Sequence, residues 1–149
     1  MKLSKNFSRA EIEHSNTAKR LGISNEMSEK HLENMQRLID NLIQPLRDSI
    51  GPIRISSGYR SPSLNRAIGG SSRSQHSKAE ALDLQFWEKR KMNNKVIYDW
   101  ILESDLEFDQ MINEFDFAWI HISLKKNSNR KQTLEAYKDE DGDTAYRLV

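Results

Sequence analysis

The stretch SQHSKAEALDLQF, residues 74–86, joins a polar loop to an alternating strand. Leu82 and Leu84 flank Asp83, a pattern typical of a strand that buries one face and presents the other. In such a strand Asp83 points away from the core, and the loop before it carries His76. A histidine and an acid at this spacing are common, so the stretch by itself leaves open whether the two belong to one site.

The composition limits the classes of function. The chain has 149 residues, which suffice for one domain with a single core. Lys and Arg number 23 against 22 Asp and Glu, and this net charge of +1 argues against a nucleic-acid partner. Because there is no cysteine, a zinc ion would need histidine and carboxylate ligands. No apolar run reaches the ~18 residues of a membrane span, so no membrane partner is predicted.

Residues 1–15, MKLSKNFSRAEIEHS, contain no apolar segment of the kind found in secretory signal peptides. We therefore expect synthesis in the cytoplasm without a signal peptide. We also expect a monomer.

Two helical segments are predicted in the N-terminal third. The first begins near Ser8, which has capping-box spacing to Glu11, and ends at or before Gly22. The second covers about 28–49, where apolar residues recur with a 3.6-residue period. Pro45 lies inside this pattern and is expected to kink the helix, because proline has no N–H to donate.

The remainder is predicted to alternate between short strands and polar segments. Apolar–polar alternation predicts strands over 53–56, 81–86, 110–115 and 118–124. The last two have hairpin spacing, and a helix is predicted over 94–103. Residues 57–77 are polar, with a short helix expected over 63–67. A loop of this length in a compact domain is usually functional or disordered.

These elements predict an α+β fold in which a small, mainly antiparallel sheet packs against helices. We expect one domain over residues 1–149, with N-terminal helices in 1–50 and a core region in 51–134. Residues 135–149 are expected to form a polar, mobile tail that includes the acidic run 139–143.

Two of the four histidines, His76 and His121, are candidates for a site. His14 and His31 lie among charged residues of predicted helices, which favours solvated side chains. His121 shares its strand face with polar neighbours, and it would project from the same face as Asp83 if the two strands are adjacent. Two imidazoles and one carboxylate, with a fourth position for water, are a common catalytic zinc site. The alternative is that Asp83 pairs with an arginine and His121 is an ordinary buried histidine.

Two stretches carry a resemblance to a known family. SGYRSPSLNRAIGG, residues 57–70, followed by the 74–84 stretch, resembles the zinc D-Ala-D-Ala carboxypeptidase family, of the C-terminal-domain type within peptidase family M15. That family shares its fold with lysostaphin-type peptidases and the hedgehog signalling domain. Its pattern Ser-x-His-x-x-Gly-x-Ala-x-Asp corresponds here to Ser74, His76, Ala79, Ala81 and Asp83.

Two further segments extend the resemblance. FDQMINEFDFAWIHISL, residues 108–124, is similar to the segment that supplies the third zinc ligand as Trp-x-His, here Trp119 and His121. FSRAEIEHSNTAKRLGISN, residues 7–25, looks like the phage and prophage branch of the family. The order of features agrees from Phe7 to about Leu134.

The resemblance implies a role for each matching residue. His76, Asp83 and His121 would be the ligands of a Zn²⁺ cofactor. Arg60 would hold the substrate or its developing oxyanion, for which a guanidinium supplies both charge and directed donors. The alternative for Arg60 is a loop residue that binds backbone carbonyls. Candidate substrate contacts are Ser74, Tyr59 and Arg60 itself.

Two departures from the family pattern bear on catalysis. Ala79 replaces the usual glycine, which would strain the backbone if a positive φ is required there. Many relatives carry an acid three residues before the last histidine, where this chain has Ala118. The remaining candidates for the general base are Glu114, which we favour, and Asp116, which also suits a turn.

The resemblance implies a zinc-dependent peptidase acting on peptidoglycan stem peptides, either a D-Ala-D-Ala carboxypeptidase or an endolysin-type endopeptidase. Such an enzyme would reach the cell wall through holin-type release or as a virion component. The alternative is a catalytically silent module that keeps the fold and binds a peptide or protein. Ala79 and the missing acid at position 118 favour that alternative.

Overall fold

The computed structural model describes residues 1–149 and confirms an α+β fold. The helices are α1 (Arg9–Glu13), α2 (Asn16–Leu21), α3 (Glu29–Leu38), α4 (Gln44–Ile50), α5 (Pro62–Ala67) and α6 (Lys95–Ser104). The strands are β1 (Ile53–Ser57), β2 (Ala81–Glu88), β3 (Lys91–Met92), β4 (Gln110–Glu114), β5 (Trp119–Ser123), β6 (Gln132–Lys138) and β7 (Thr144–Leu148). None of the helices is long and apolar enough to cross a bilayer.

The N-terminal segment forms two short helices where the sequence predicted one. The Ser8 hydroxyl accepts a hydrogen bond from the Glu11 amide at 3.2 Å, which confirms the predicted cap. The chain then breaks, and Ser15 caps α2 in the same way. Gly22 ends α2 with φ 67°, a left-handed conformation that glycine adopts without steric cost.

The predicted long helix is interrupted earlier than Pro45. Ser28 caps α3 at the predicted start of the helix, but residues Ile39–Ile43 form a π-helical turn between α3 and α4. In this turn the Gln44 amide binds the Ile39 carbonyl, five residues back. The wider turn directly precedes Pro45, which has no N–H for the normal helical bond. The chain therefore accommodates the proline and continues as a helix.

The seven strands form one mixed sheet in the order β1-β2-β5-β4-β6-β7, with β3 paired to the end of β2. All pairs are antiparallel except β4 with β6. One face of the sheet packs against the helices and contributes fully buried side chains: Leu82, Leu84, Met111, Ile120 and Ile122. The alternation predicted for β2 is confirmed, so Asp83 lies on the opposite face.

The C-terminal segment requires a correction. The sequence predicts no strands after residue 124 and a mobile tail over 135–149, whereas residues 132–138 and 144–148 form β6 and β7. The acidic run Asp139–Asp143 is the exposed turn between them. Because β6 pairs with β4, the hairpin extends the sheet beside the face that carries Asp83.

Candidate metal centre

Two adjacent strands bring Asp83 and His121 together. The residues are direct partners across the antiparallel pair β2–β5, so their side chains project from the same face. This adjacency was a condition of the sequence prediction, and the structure fulfils it. The apolar neighbours of each residue are buried on the other face, which fixes the register because a slip of one residue would bury the charged group.

A short turn delivers His76 to the same place. Gln75–Lys78 form one turn of 3₁₀ helix, and the Ser74 hydroxyl accepts a hydrogen bond from the His76 amide at 3.2 Å. The turn ends at Ala79 with φ 57° and ψ 36°. Ala79 therefore occupies a left-handed conformation, which explains the glycine of the family pattern and costs an alanine about 1–2 kcal/mol.

The three side chains meet at one carboxylate oxygen. Asp83 Oδ1 lies 3.2 Å from His76 Nε2 and 3.1 Å from His121 Nδ1. One donor atom from each residue falls within 4.8 Å of the others. Four ligands held about 2.0–2.1 Å from a tetrahedral zinc ion are about 3.3 Å apart, so the Asp83 contacts already match zinc coordination.

The orientation of His76 also fits a metal ligand. Its Nδ1 donates to the Gly58 carbonyl at 2.8 Å, so Nε2, which lies 3.2 Å from Asp83 Oδ1, is the ring nitrogen left to bind a metal. A second hydrogen bond of this kind is how proteins fix the tautomer of ligating histidines. Gly58 packs so closely on α1 that an added Cβ would collide with the Ile12 carbonyl. The glycine of the SGYR stretch therefore permits the contact that aims His76.

Charge is concentrated at this point. Burial tends to raise the pKa of Asp83, but the two histidines outweigh burial and hold that pKa well below its usual range. Asp83 is therefore a carboxylate at every physiological pH. Two nearly buried imidazoles and a permanent carboxylate form a donor set that suits zinc, so the residues present fit the cofactor that the sequence predicted.

Glu114 stands beside this cluster, at the end of β4. It pairs with Trp119, two residues before His121 on the neighbouring strand, which makes it a diagonal neighbour of His121 on the same face. Glu114 is 8% exposed and lines the same cavity. Burial, helped by the charge of Asp83 and opposed by His121, raises the pKa of Glu114 to about 7. A carboxyl poised near neutrality is suited to proton transfer.

Asp116 is placed differently. It lies in the turn Phe115–Phe117, where all three residues have positive φ, and its side chain is exposed. It does not line the cavity. Of the two acids predicted as general base, only Glu114 is therefore brought to the metal site.

Arg60 faces the cavity from the loop after β1. Its Nη2 donates to the Ser74 hydroxyl at 3.4 Å, and its Nε is buried without a hydrogen-bond partner. Burial lowers the pKa of Arg60, and Asp83 opposes the shift. Both Arg60 and Ser74 line the cavity, as predicted for substrate contacts.

Tyr59 does not reach the site, which corrects its assignment as a substrate contact. The side chain is 4% exposed and belongs to the hydrophobic core, where its ring lies 5.2 Å from that of His31. Its amide binds the Ile12 carbonyl at 2.9 Å. Of the SGYR stretch, only Arg60 lines the cavity.

The cavity above the metal site has a volume of about 1020 Å³. The triad and Glu114 line it, together with four cationic side chains: Arg73, Lys78, Lys125 and Arg130. The β6–β7 hairpin forms one of its walls, through Leu134, Thr144 and Tyr146. This wall could not be predicted, because the sequence indicates no strands for the hairpin.

Asp109 was also missed. It is fully buried, and its carboxylate accepts hydrogen bonds from Gln75 Nε2 at 3.0 Å and from Arg130 Nη2 at 2.7 Å. Burial works against ionisation, but the bonds to Arg130 prevail and lower the pKa of Asp109 to about 2. The bond to Gln75 ties the turn that carries His76 to the sheet, which gives Asp109 a positioning role.

The sheet of this α+β fold presents two histidines and an aspartate, with a further carboxyl beside them. This arrangement defines a domain of the metallopeptidase type. The chain belongs to the peptidase M15 family, whose sequence model matches residues 5–123. This family is zinc-dependent, in agreement with the donor set, and the match confirms the resemblance to the zinc D-Ala-D-Ala carboxypeptidases. No protein of curated function matches the chain.

Proposed function

We propose that the protein hydrolyses peptide bonds in peptidoglycan stem peptides, with zinc held by His76, Asp83 and His121. The observation that carries this proposal is the position of Glu114, a nearly buried carboxyl on the same sheet face as the triad. A metal site that served structure alone would not require a titratable acid beside it. Membership of the peptidase M15 family supports the same reaction class.

Zinc, Glu114 and Arg60 would have different roles in this reaction. Zinc bound there would act as a Lewis acid that polarises the scissile carbonyl and makes water nucleophilic near neutral pH. Glu114 accepts a proton from the attacking water and then donates it to the leaving amine as the C–N bond breaks. Arg60 contributes charge and directed N–H donors to the oxygen of the attacked carbonyl, where negative charge develops. Arg60 lines the cavity above the metal site, which supports such a contact.

The charge of the cavity supports an acidic peptide as substrate. Arg73 and Lys78 line the cavity and form no ion pair, whereas Lys125 and Arg130 share Asp109. Peptidoglycan stem peptides carry several carboxylates, including the C-terminal one that a carboxypeptidase must recognise. Cationic side chains near the scissile bond would attract and orient such a substrate.

The proposed place of action is the bacterial cell wall, since that is where the substrate lies. Holin-type release from the cytoplasm and packaging in a phage virion are the two routes proposed. A single copy of the chain supplies the triad, Glu114 and Arg60, which supports action as a monomer.

A catalytically silent binding module is the second candidate, favoured by Ala118 at the position where relatives carry an acid. Digestion of defined muropeptides by zinc-loaded protein, read by mass spectrometry, separates the two. Loss of one terminal D-alanine indicates a carboxypeptidase, and an internal cut indicates an endopeptidase. His121→Ala serves as the inactive control. Intact muropeptides after incubation with zinc-loaded wild type would exclude the enzyme and favour the binding module.

A further inference from the structure

The β6–β7 hairpin lies beyond residues 5–123, the segment matched by the peptidase M15 family, yet it lines the cleft. Its cavity-facing side chains are Leu134, Thr144 and Tyr146. This wall of the cleft is therefore a feature that the family match does not describe. Its side chains are candidates for substrate selection.

Strand register places Tyr146 next to Glu114. Tyr146 pairs with Ala136 across β6–β7, and Ala136 pairs with Glu114 across β4–β6. Directly paired residues share a face, so both side chains project into the cavity from backbones about 10 Å apart, which is two strand spacings. Ala136 between them carries only a methyl group and does not separate the phenol from the carboxyl.

The side chain of Tyr146 does not contribute to the hydrophobic core, unlike the buried aromatic side chains. Its side chain is 55% exposed, and it is absent from the hydrophobic core. Burial and the charges of Glu114 and Asp83 raise the pKa of Tyr146, so its hydroxyl remains a donor at neutral pH. A half-exposed phenol at the wall of a cleft offers apolar surface and one hydrogen bond to a ligand.

Apolar surface continues from Tyr146 towards the metal site. Leu134 pairs with Ile112, and Ile112 pairs with His121. The side chains that lie between His121 and the outer edge of β6 on this face are therefore apolar. Cationic side chains line the same cavity. The cleft therefore offers both cationic groups and apolar surface, which fits a peptide that carries acidic groups and a small apolar side chain.

We propose that Tyr146 is a substrate-contacting residue that selects small apolar side chains, such as that of alanine, next to the scissile bond. Its ring packs on the methyl group of the substrate, and its hydroxyl donates to a backbone carbonyl of the peptide. This inference rests on the proposed peptidase function, because it assigns a role at the same site.

The test compares zinc-loaded wild type with Tyr146→Ala and Tyr146→Phe on an alanine-containing stem peptide and on an analogue with leucine beside the scissile bond. Tyr146→Ala is expected to raise KM for the alanine peptide about 10-fold, to change kcat by less than about 3-fold, and to lose the preference for alanine over leucine. Tyr146→Phe should fall between the two. Tyr137→Phe is the matched control, because Tyr137 lies on the other face of the hairpin and stacks on Arg147.

An active Tyr146→Ala variant with unchanged KM and unchanged selectivity would overturn the inference while leaving the peptidase proposal intact. If wild type cleaves no stem peptide, the peptidase proposal fails, and equilibrium binding of the same alanine peptide then tests Tyr146. Weaker binding by Tyr146→Ala than by wild type would support the contact. Equal binding, or no binding to either, would overturn it.

Discussion

Asp83 and His121 are direct partners across β2 and β5, and the Asp83 oxygen that lies 3.1 Å from His121 also lies 3.2 Å from His76. One carboxylate oxygen therefore joins a rigid strand pair to a loop residue that is seven positions distant in the chain. The sheet fixes two of the three groups, and the Gly58 carbonyl aims the third. Such a site is largely formed before a metal binds, which reduces the ordering cost of binding.

Replacing Asp83 by Asn should weaken zinc binding by at least about 100-fold. The substitution keeps the shape of the side chain but removes the only negative charge among the three ligands. Calorimetric titration of metal-free protein with zinc measures the effect, and the rise in melting temperature on adding zinc should disappear with it. His14→Ala, at an exposed histidine, is the control and should bind zinc as wild type does. Wild-type affinity in Asp83→Asn would contradict the ligand assignment.

Replacing Ala79 by Gly should change the free energy of unfolding by less than about 1 kcal/mol. Glycine relieves the left-handed strain, but it loses a buried methyl worth about 0.8 kcal/mol and gains freedom in the unfolded chain. Ala79→Val should destabilise by more than about 2 kcal/mol, since a β-branched side chain suits neither the backbone conformation nor the space. Urea unfolding measures both variants. A large loss in Ala79→Gly would show that the methyl, and not the backbone, dominates at this position.

Glu114 should make the metal-free protein less stable as the pH rises. Its pKa is raised from 4.5 to about 7 in the folded state, so the unfolded chain releases this proton first. The stabilisation is complete below pH 4.5 and is lost by about pH 7, an effect on the order of 3 kcal/mol. Glu114→Gln removes the dependence. Melting temperatures between about pH 4.5 and 8 test this, and parallel profiles for the two proteins would show that Glu114 titrates normally.

Asp109→Asn should reduce both stability and zinc affinity. The buried carboxylate holds Arg130 and Gln75, and its loss leaves their donors imperfectly paired, at a cost of about 2 kcal/mol. Because Gln75 precedes His76, zinc should also bind about 10-fold more weakly. Asp105→Asn, in the exposed pair with Lys131, should change neither property. A variant that loses stability but keeps full zinc affinity would show that Asp109 does not position the His76 turn.

Local patterns made much of the fold predictable. Ser8 caps a helix as its spacing indicated, and alternation in β2 placed Asp83 opposite the core. These features depend on residues within a few positions of one another. The family resemblance strengthened the case for His76 and added Arg60, and the positions of both depend on a loop that periodicity cannot describe.

The rest depends on contacts that are distant in sequence. Strand β6 is half-exposed along most of its length and pairs in parallel with β4, so its residues carry no strong alternation. Without the hairpin, the role of Tyr146 in the cleft could not be predicted. Asp109 was missed for the same reason, because its partners Gln75 and Arg130 lie 34 and 21 residues away.

Hydrolysis of a defined stem peptide by Glu114→Gln, with zinc content measured on the same samples, tests whether Glu114 is the general base of a zinc peptidase. We expect the variant to bind zinc at the wild-type stoichiometry but to lose at least about 100-fold in kcat, because the proton acceptor is gone while the ligands remain. Asp116→Asn, in the exposed turn, should retain wild-type activity. Full activity in Glu114→Gln, or loss of activity in Asp116→Asn instead, would contradict the assignment of Glu114 as the base.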